Sequence, residues 1–211
     1  MKKFLLSFAL ISGILTNSPV YAEQTTHTSY KARIVNCIKT DLGFGEKIEK
    51  TTITQDFMTG LRLFGYTCAT NAILNGIVLR NIDWGKTSLQ SVNWASDKYM
   101  KNILSVALYA ALIVPIAEET VFTYGLSNGA CKLFGQNGGE IISSLLFGAV
   151  HFQHENFSQS MNHAILTGTM HLIKVRNYNA HRQHTWAPLF NHIINNTCVV
   201  GLFYMISKAA Q

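Results

Sequence analysis

Residues 103–126 of the chain read ILSVALYAALIVPIAEETVFTYGL, an apolar run of the length of a long helix. Four other stretches are similarly apolar, and polar connectors separate them: residues 57–79, 140–152, 161–175 and 189–206. Their Val, Ile and Thr residues do not follow the period of two that is typical of strands, and the stretches are long enough for helices. The sequence therefore predicts an all-α protein.

The composition favours a membrane protein. Only 13% of the 211 residues are charged, about half of the roughly 25% found in ordinary globular domains. Such a chain must bury more of its surface in lipid or in a partner. A helix that crosses a bilayer needs about 20 mainly apolar residues, and residues 103–126 and 189–206 come near that length. We therefore expect a multi-helix transmembrane bundle, with a soluble exported helical protein as the alternative.

Polar side chains interrupt these apolar stretches. Glu118 and Glu119 lie in residues 103–126, and His192 and Asn196 lie in residues 189–206. A polar or ionisable side chain inside a membrane helix is costly unless it faces the bundle interior or a water-filled cavity, so it marks a functional site by default. We expect the polar residues of this bundle to face an internal cavity.

The N-terminus has the features of a secretory signal peptide over residues 1–22. Lys2 and Lys3 precede the apolar run 4–15, and the small-residue sequence Val20-Tyr21-Ala22 resembles a cleavage site. Retention as an uncleaved signal anchor is the alternative. We expect a polar exported N-terminal segment at residues 23–56, which is a linker or a short amphipathic structure, and a helical membrane domain at residues 57–211. This organisation places the protein in the membrane of a bacterial cell envelope.

Several other functions lack support in the sequence. The formal net charge is +6, but the basic residues are scattered, without the dense stripe that nucleic-acid binding requires. The glycines form no phosphate-binding pattern with a following Lys and Ser or Thr. Four cysteines permit two disulfides in an exported protein, although buried free thiols are the simpler interpretation for Cys68 and Cys198, which lie in apolar stretches.

Three short clusters carry residues suited to hydrolysis. They are Glu118 with Glu119, Phe147 with His151 in FGAVH, and His192 with Asn196 in NHIINN. Residues four apart lie on one face of a helix, so three helices packed side by side can direct these groups into one cavity. A Glu with two His residues offers a general base for water, a partner that orients the water, and donors for the tetrahedral oxyanion.

The order of the clusters resembles a known family. EETVFTYG, FGAVH and WAPLFNHIINN resemble, in that order, the three motifs of the CAAX-protease and bacteriocin-processing (CPBP) family, the intramembrane proteases that include the Ras-converting enzyme. The resemblance extends over about half the chain, residues 103–205. It implies an all-helical membrane core and hydrolysis of a peptide bond within or near the bilayer.

The resemblance also implies roles for individual residues. Glu118 and His151 would activate water, His192 and Asn196 would donate to the oxyanion, and Glu119 would be a supporting carboxylate. The implied substrate is a peptide or a membrane-anchored protein, and the lipid bilayer is the other partner. Prenylated CAAX substrates are not implied, because a bacterial envelope has no evident source of a farnesylated protein.

Thr123 departs from the family pattern, which has Arg four residues after the second Glu. A buried carboxylate without a cation tends to take up a proton. Either another cation, such as Lys132, Lys174 or Arg182, substitutes, or Glu119 is neutral and activity is reduced or absent. The alternative function is therefore a catalytically silent membrane scaffold or an immunity-type protein that binds a peptide.

No cofactor is predicted, and a zinc-dependent metalloprotease is the further alternative. Glu118 or Glu119, together with His151 and His192, provides ligand types that zinc accepts, with an open position for water. However, the sequence contains no H-E-x-x-H pair. His163 and His171 lie on an apolar stretch, where an interhelical hydrogen bond is the simplest interpretation.

Overall fold

The computed structural model describes residues 30–45, 50–74, 103–152, 157–181 and 185–209. All regular structure in these ranges is helical, without a strand, so the prediction of an all-α protein is confirmed. The predicted signal peptide, residues 1–22, lies outside the described residues, and the predicted export and domain limits stay predictions.

Seven α-helices and two π-helical segments make up the described chain. The α-helices are α1 (Tyr30–Asp41), α2 (Ile53–Ile73), α3 (Ile103–Leu108), α4 (Val114–Glu118), α5 (Ser127–Val150), α6 (Phe157–Ala180) and α7 (Ala187–Ala209). The π-helical segments are Tyr109–Ile113, between α3 and α4, and Glu119–Leu126, between α4 and α5. Short π-helical turns inside α-helices are frequent at functional sites, and the second segment begins at Glu119.

The chain reverses direction inside α5 at Gly135. This glycine has a φ of 73°, a left-handed conformation that favours glycine. The backbone of Gly139 then lies against that of Ala130 and Cys131, so closely that a β-carbon at residue 139 would overlap them. In a continuous α-helix, Cys131 and Gly139 would be about 12 Å apart, because eight residues separate them. α5 is therefore a helical hairpin, and its second arm carries Phe147 toward the end of the helix.

Two glycines let the second arm of α5 pack closely on α6. A β-carbon at Gly148 would overlap the carbonyl oxygen of Ala164, and one at Gly168 would lie 2.9 Å from the carbonyl oxygen of Ser144. Small residues at a helix crossing allow the backbones to approach one another. The close approach brings Phe147 of α5 onto His171 of α6, with parallel rings 4.3 Å apart.

The start of α7 is held by α2. A capping box between Thr52 and Gln55 begins α2. One turn further along, the carboxylate of Asp56 accepts hydrogen bonds from Thr185 Oγ1 at 2.6 Å and from the backbone N–H of Trp186 at 2.9 Å. Since α7 starts at the next residue, this contact positions the helix that carries His192.

A buried ion pair attaches α1 to α2 and α6. Arg62 of α2 contacts Asp41 through Nε at 2.6 Å and Nη2 at 3.1 Å. Asn177 of α6 donates to the backbone carbonyl of Asp41 at 2.9 Å. These residues are buried, so α1 packs against α2 and α6.

The cysteines do not form the two disulfides that their number permits. Cys68, Cys131 and Cys198 are free thiols, and Cys37 Sγ contacts Asp41 Oδ2 at 3.7 Å. Cys68 is half-buried, whereas Cys198 is exposed. The prediction of a buried Cys198 is therefore wrong, because this residue lies on a face of α7 that is not covered by the helices described.

The two stretches expected to form membrane-spanning helices are residues 103–126 and 189–206. Among the residues that the structure describes, no helix combines the length and the hydropathy required to cross a membrane. In residues 103–126, the chain is divided between α3, α4 and the two π-helical segments.

Candidate active site

Residues from all three sequence clusters meet at one site. Glu118 ends α4, His151 follows the last residue of α5, and His192 lies one and a half turns into α7. The Oε2 atom of Glu118 is 3.9 Å from His151 Nε2 and 3.6 Å from His192 Nε2. The tertiary fold thus gathers the carboxylate and the two imidazoles that the motifs singled out.

Glu119 lies behind Glu118 and is completely buried. Its Oε2 accepts a hydrogen bond of 2.5 Å from Thr123 Oγ1. Its Oε1 contacts His192 Nδ1 at 2.7 Å and forms an ion pair with the ammonium of Lys174. Both carboxylate oxygens are therefore engaged, and Glu119 has a cation although residue 123 is Thr.

Among the cations considered to replace the family Arg, the structure places Lys174 at the site. It extends from α6, is 3% exposed, and lies 5.1 Å from the centre of the Phe147 ring. Lys132 is exposed on α5, and Arg182 lies outside the described residues. Lys174 was one of several possibilities in the sequence and was not among the predicted site residues.

The contacts of His151 determine which ring nitrogen carries its proton. Nδ1 lies 2.8 Å from the carbonyl oxygen of Phe147, which can only accept a hydrogen bond. Nδ1 therefore donates, and in the neutral ring Nε2 presents a lone pair toward Glu118. The same hydrogen bond satisfies a carbonyl at the end of α5 that has no partner within the helix.

His192 also directs Nε2 toward Glu118, but its ring lies between two carboxylates. A hydrogen bond from Nδ1 to Glu119 Oε1 turns Nε2 toward Glu118. The ammonium of Lys174 lies 3.3 Å from the same Nδ1 atom. With Nδ1 protonated, Nε2 becomes a donor only when the ring is an imidazolium, so the charge of His192 determines whether it can donate to a substrate oxygen.

The site has an accessible layer and a buried layer. The side chains of Glu118 and His151 are 26% and 25% exposed, whereas Glu119 is fully buried and Lys174 almost so. Water can reach the accessible pair. His192 contacts both layers and can therefore transmit the influence of the buried pair to the accessible pair.

Asn196 makes a different contact from the one its predicted role requires. Its Nδ2 donates to the carbonyl oxygen of Ala110 at 2.9 Å, in the first π-helical segment. His192 and Asn196 are one turn apart on α7, as expected, but in this structure the amide of Asn196 attaches α7 to that segment. Its predicted role as an oxyanion donor stays a prediction.

His171 is buried beside the site without the hydrogen bond predicted for it. Neither ring nitrogen has a hydrogen-bond partner within the part of the chain that is described. The prediction of an interhelical hydrogen bond is therefore wrong, because His171 contacts aromatic rings: it stacks on Phe147 and meets the edge of Phe122 at 6.3 Å.

His171→Phe is expected to retain full activity and to raise the stability by about 1 kcal/mol. An aromatic ring at residue 171 keeps the stack with Phe147, and the substitution removes two buried polar atoms that lack partners, whose desolvation is unfavourable. Thermal unfolding of the purified variant measures the change. A lower melting temperature would contradict the prediction and would indicate that a ring nitrogen bonds a buried water.

Of the two glutamates considered as zinc ligands, Glu119 is not available to a metal ion. In the ranges that the structure describes, no group of three or more His, Cys, Asp or Glu side chains is arranged to hold a metal ion. Glu119, one of the proposed zinc ligands, has both oxygens engaged by Thr123, His192 and Lys174, and the ammonium beside it repels a divalent cation. We therefore assign no step to a metal.

Fold and site together define a helical domain with a carboxylate–imidazole centre between its helices. Residues 100–198 match the family model described as Rce1-like, type II CAAX prenyl endopeptidase Rce1-like. The three motifs lie inside this range, and the resemblance to the CPBP and CAAX protease family is thereby confirmed. Neither the curated proteins nor the solved structures provide a match.

The family match covers slightly less than half of the chain. It includes α3 to α6 and the first half of α7, whereas α1 and α2 lie outside it. The Rce1-like proteins are multi-helix membrane proteins. The contacts of Asp41 and Asp56 therefore join helices outside the matched region to helices within it.

Proposed function

We propose that the protein is an endopeptidase of the CAAX-protease type that hydrolyses peptide bonds by means of a water bound between Glu118 and His151. The observation that carries this proposal is the 3.9 Å distance between Glu118 Oε2 and His151 Nε2. This distance is too long for a direct hydrogen bond, and one bridging water, at about 2.8 Å from each atom, spans it.

The hydrogen-bonding capacities of the two groups orient this water. The carboxylate of Glu118 accepts, and Nε2 of His151 also accepts because Nδ1 donates to the Phe147 carbonyl. The water therefore donates both of its protons and keeps its oxygen lone pairs free for a substrate carbonyl carbon. As the oxygen attacks, one proton passes to Glu118, which later returns it to the leaving amine.

His192 is suited to stabilise the oxyanion formed in this attack. Its ring lies between Glu118 and Glu119, whose carboxylates favour the imidazolium, whereas burial and the nearby ammonium of Lys174 favour the neutral ring. When the ring takes up a proton during the reaction, Nδ1 stays hydrogen-bonded to Glu119 and the Nε2 proton is directed toward the accessible layer. Asn196 is the second candidate donor, with one of its amide protons already bound to Ala110 O.

The substrate and location follow from the family and remain proposals. The matched family acts as CAAX prenyl endopeptidases and consists of membrane proteins. We propose that this protein cleaves a peptide or a membrane-anchored protein in or near the membrane of the cell envelope. The lipid bilayer would be its second partner.

His151→Ala is expected to abolish cleavage, because the variant loses one of the two acceptors that orient the water. The measurement is fragment formation from a co-expressed reporter with a single transmembrane anchor and tags on both sides, detected by size. His171→Phe is the matched control and should cleave as the parent does. Cleavage by His151→Ala at the parent rate would rule out this mechanism.

Two alternatives are distinguished by the same assay. Loss of cleavage on chelation, with recovery on addition of zinc, would favour a metalloprotease. The catalytically silent scaffold is motivated by Thr123 alone, and it loses support because Lys174 supplies a cation to Glu119. It predicts no cleavage by the parent protein under any condition.

A further inference from the structure

We propose that Lys174 is the positioning residue of this site: its ammonium keeps Glu119 ionised and thereby orients His192 for the reaction. The inference rests on the proposed function. It concerns a residue on α6, the helix of the site that carries none of the three sequence clusters, and it assigns Lys174 no contact with the substrate.

The first support is the burial of the pair. Glu119 is fully buried and Lys174 is 3% exposed, and the two side chains form a direct ion pair. An ionised carboxylate in such surroundings is strongly unfavourable unless it has a cation and hydrogen bonds. The two residues are 55 apart in the sequence. The ion pair therefore depends on how α6 packs against the segment that carries Glu119.

The second support is the geometry around His192. The oxygen that contacts Lys174, Glu119 Oε1, is also the oxygen 2.7 Å from His192 Nδ1. As a carboxylate, Glu119 accepts the proton of Nδ1 and directs Nε2 toward Glu118, 3.6 Å away. A protonated Glu119 would instead be able to donate to Nδ1, which would reverse this hydrogen bond and change the tautomer of His192.

The third support is the other oxygen of Glu119. Thr123 Oγ1 donates to Oε2 at 2.5 Å, from a residue one turn along the same helical segment. Position 123 therefore reaches the same carboxylate from its own helix, whereas Lys174 reaches it from α6. A cation at either position neutralises Glu119, and the charge can in principle be moved from one position to the other.

Moving the charge is the test. Lys174→Met removes the ammonium and keeps most of the side-chain volume. We expect it to lower kcat about 100-fold, the scale of a misplaced catalytic group, with KM changed less than about 3-fold because Lys174 does not contact the substrate. In the same background, Thr123→Arg should recover at least about 10-fold in kcat.

Lys132→Met is the matched control, since Lys132 is exposed on α5, and its kcat should equal that of the parent. A merely structural role for Lys174 would not predict recovery from a cation placed on a different helix. Parental kcat in Lys174→Met, or no recovery in the double variant when it is folded, would overturn the inference.

A stability measurement separates this inference from the proposed function. Lys174→Met leaves a buried unpaired carboxylate and should lower the melting temperature, and adding Glu119→Gln should restore most of the loss without restoring turnover. If the two substitutions lower the melting temperature additively, Lys174 and Glu119 are not coupled. That result would overturn the inference even if the parent protein cleaves its substrate. If the melting temperatures show that Lys174 and Glu119 are coupled but the parent protein cleaves nothing, the proposed function is refuted instead.

Discussion

Glu118→Gln is expected to lower kcat by about 10³-fold, because Gln cannot accept the proton of the attacking water. The substitution keeps the shape of the side chain and one oxygen acceptor, so the water can still bind between residues 118 and 151. KM should therefore change little, and the loss should appear in the chemical step. Steady-state cleavage of the reporter or of a peptide identified with it gives both constants.

The neighbouring carboxylate provides the contrast for this prediction. Glu118 is partly exposed and has no direct hydrogen bond to either imidazole at 3.6 and 3.9 Å, so Glu118→Gln should unfold at the temperature of the parent. Glu119→Gln leaves the ammonium of Lys174 buried without its partner and should lower the stability by about 3–5 kcal/mol. Equal turnover in Glu118→Gln and the parent would exclude Glu118 as the base.

Gly148→Ala is expected to reduce the stability by about 3 kcal/mol and to reduce activity strongly. The added β-carbon would overlap the carbonyl oxygen of Ala164 in α6, and a backbone atom cannot move aside as the end of a flexible side chain can. The helices must separate, at a cost at the upper end of that measured for overpacked cores. Thermal unfolding and the cleavage assay measure the two effects.

The loss of activity has a geometric cause. Gly148 lies three residues before His151, and the same helix contact presses Phe147 onto His171, three residues before Lys174. Separating α5 from α6 therefore displaces His151 and Lys174 from their glutamates. Activity should fall even at temperatures where the variant is folded.

Gly129→Ala is the matched control for this prediction. Gly129 also lies in α5, is exposed, and has no atom within 4 Å of a β-carbon built on it. Alanine there should stabilise the helix by about 0.5–1 kcal/mol, because it reduces the freedom of the unfolded chain. Similar behaviour of the two alanine variants would contradict the close contact at Gly148.

Part of the site could be predicted because helix periodicity is local. Four residues along a helix return to the same face, and two of the three predicted pairs are in contact: Thr123 bonds to Glu119, and the ring of His151 lies 4.5 Å from that of Phe147. The identity of the polar residues in apolar runs then indicated where the chemistry should lie.

Other parts of the site could not be predicted, because they depend on contacts between helices. Asn196 donates to a carbonyl of a π-helical segment, and His171 contacts aromatic rings. Neither partner is evident from the sequence. A hydropathy pattern carries no information about which carbonyl a π-helical turn leaves open, or about which ring packs on an imidazole.

The amino-acid sequence alone determined that the protein is helical, and it determined which glutamates and histidines would stand on which helix faces, because both follow from the local spacing of residues. Only the tertiary structure decided that Lys174 is the cation of Glu119. That pairing joins residues on separate helical segments, 55 apart in the sequence, and the glycine contact between α5 and α6 positions the helix that carries Lys174. Such distances depend on how whole helices pack, which no local pattern of residues specifies.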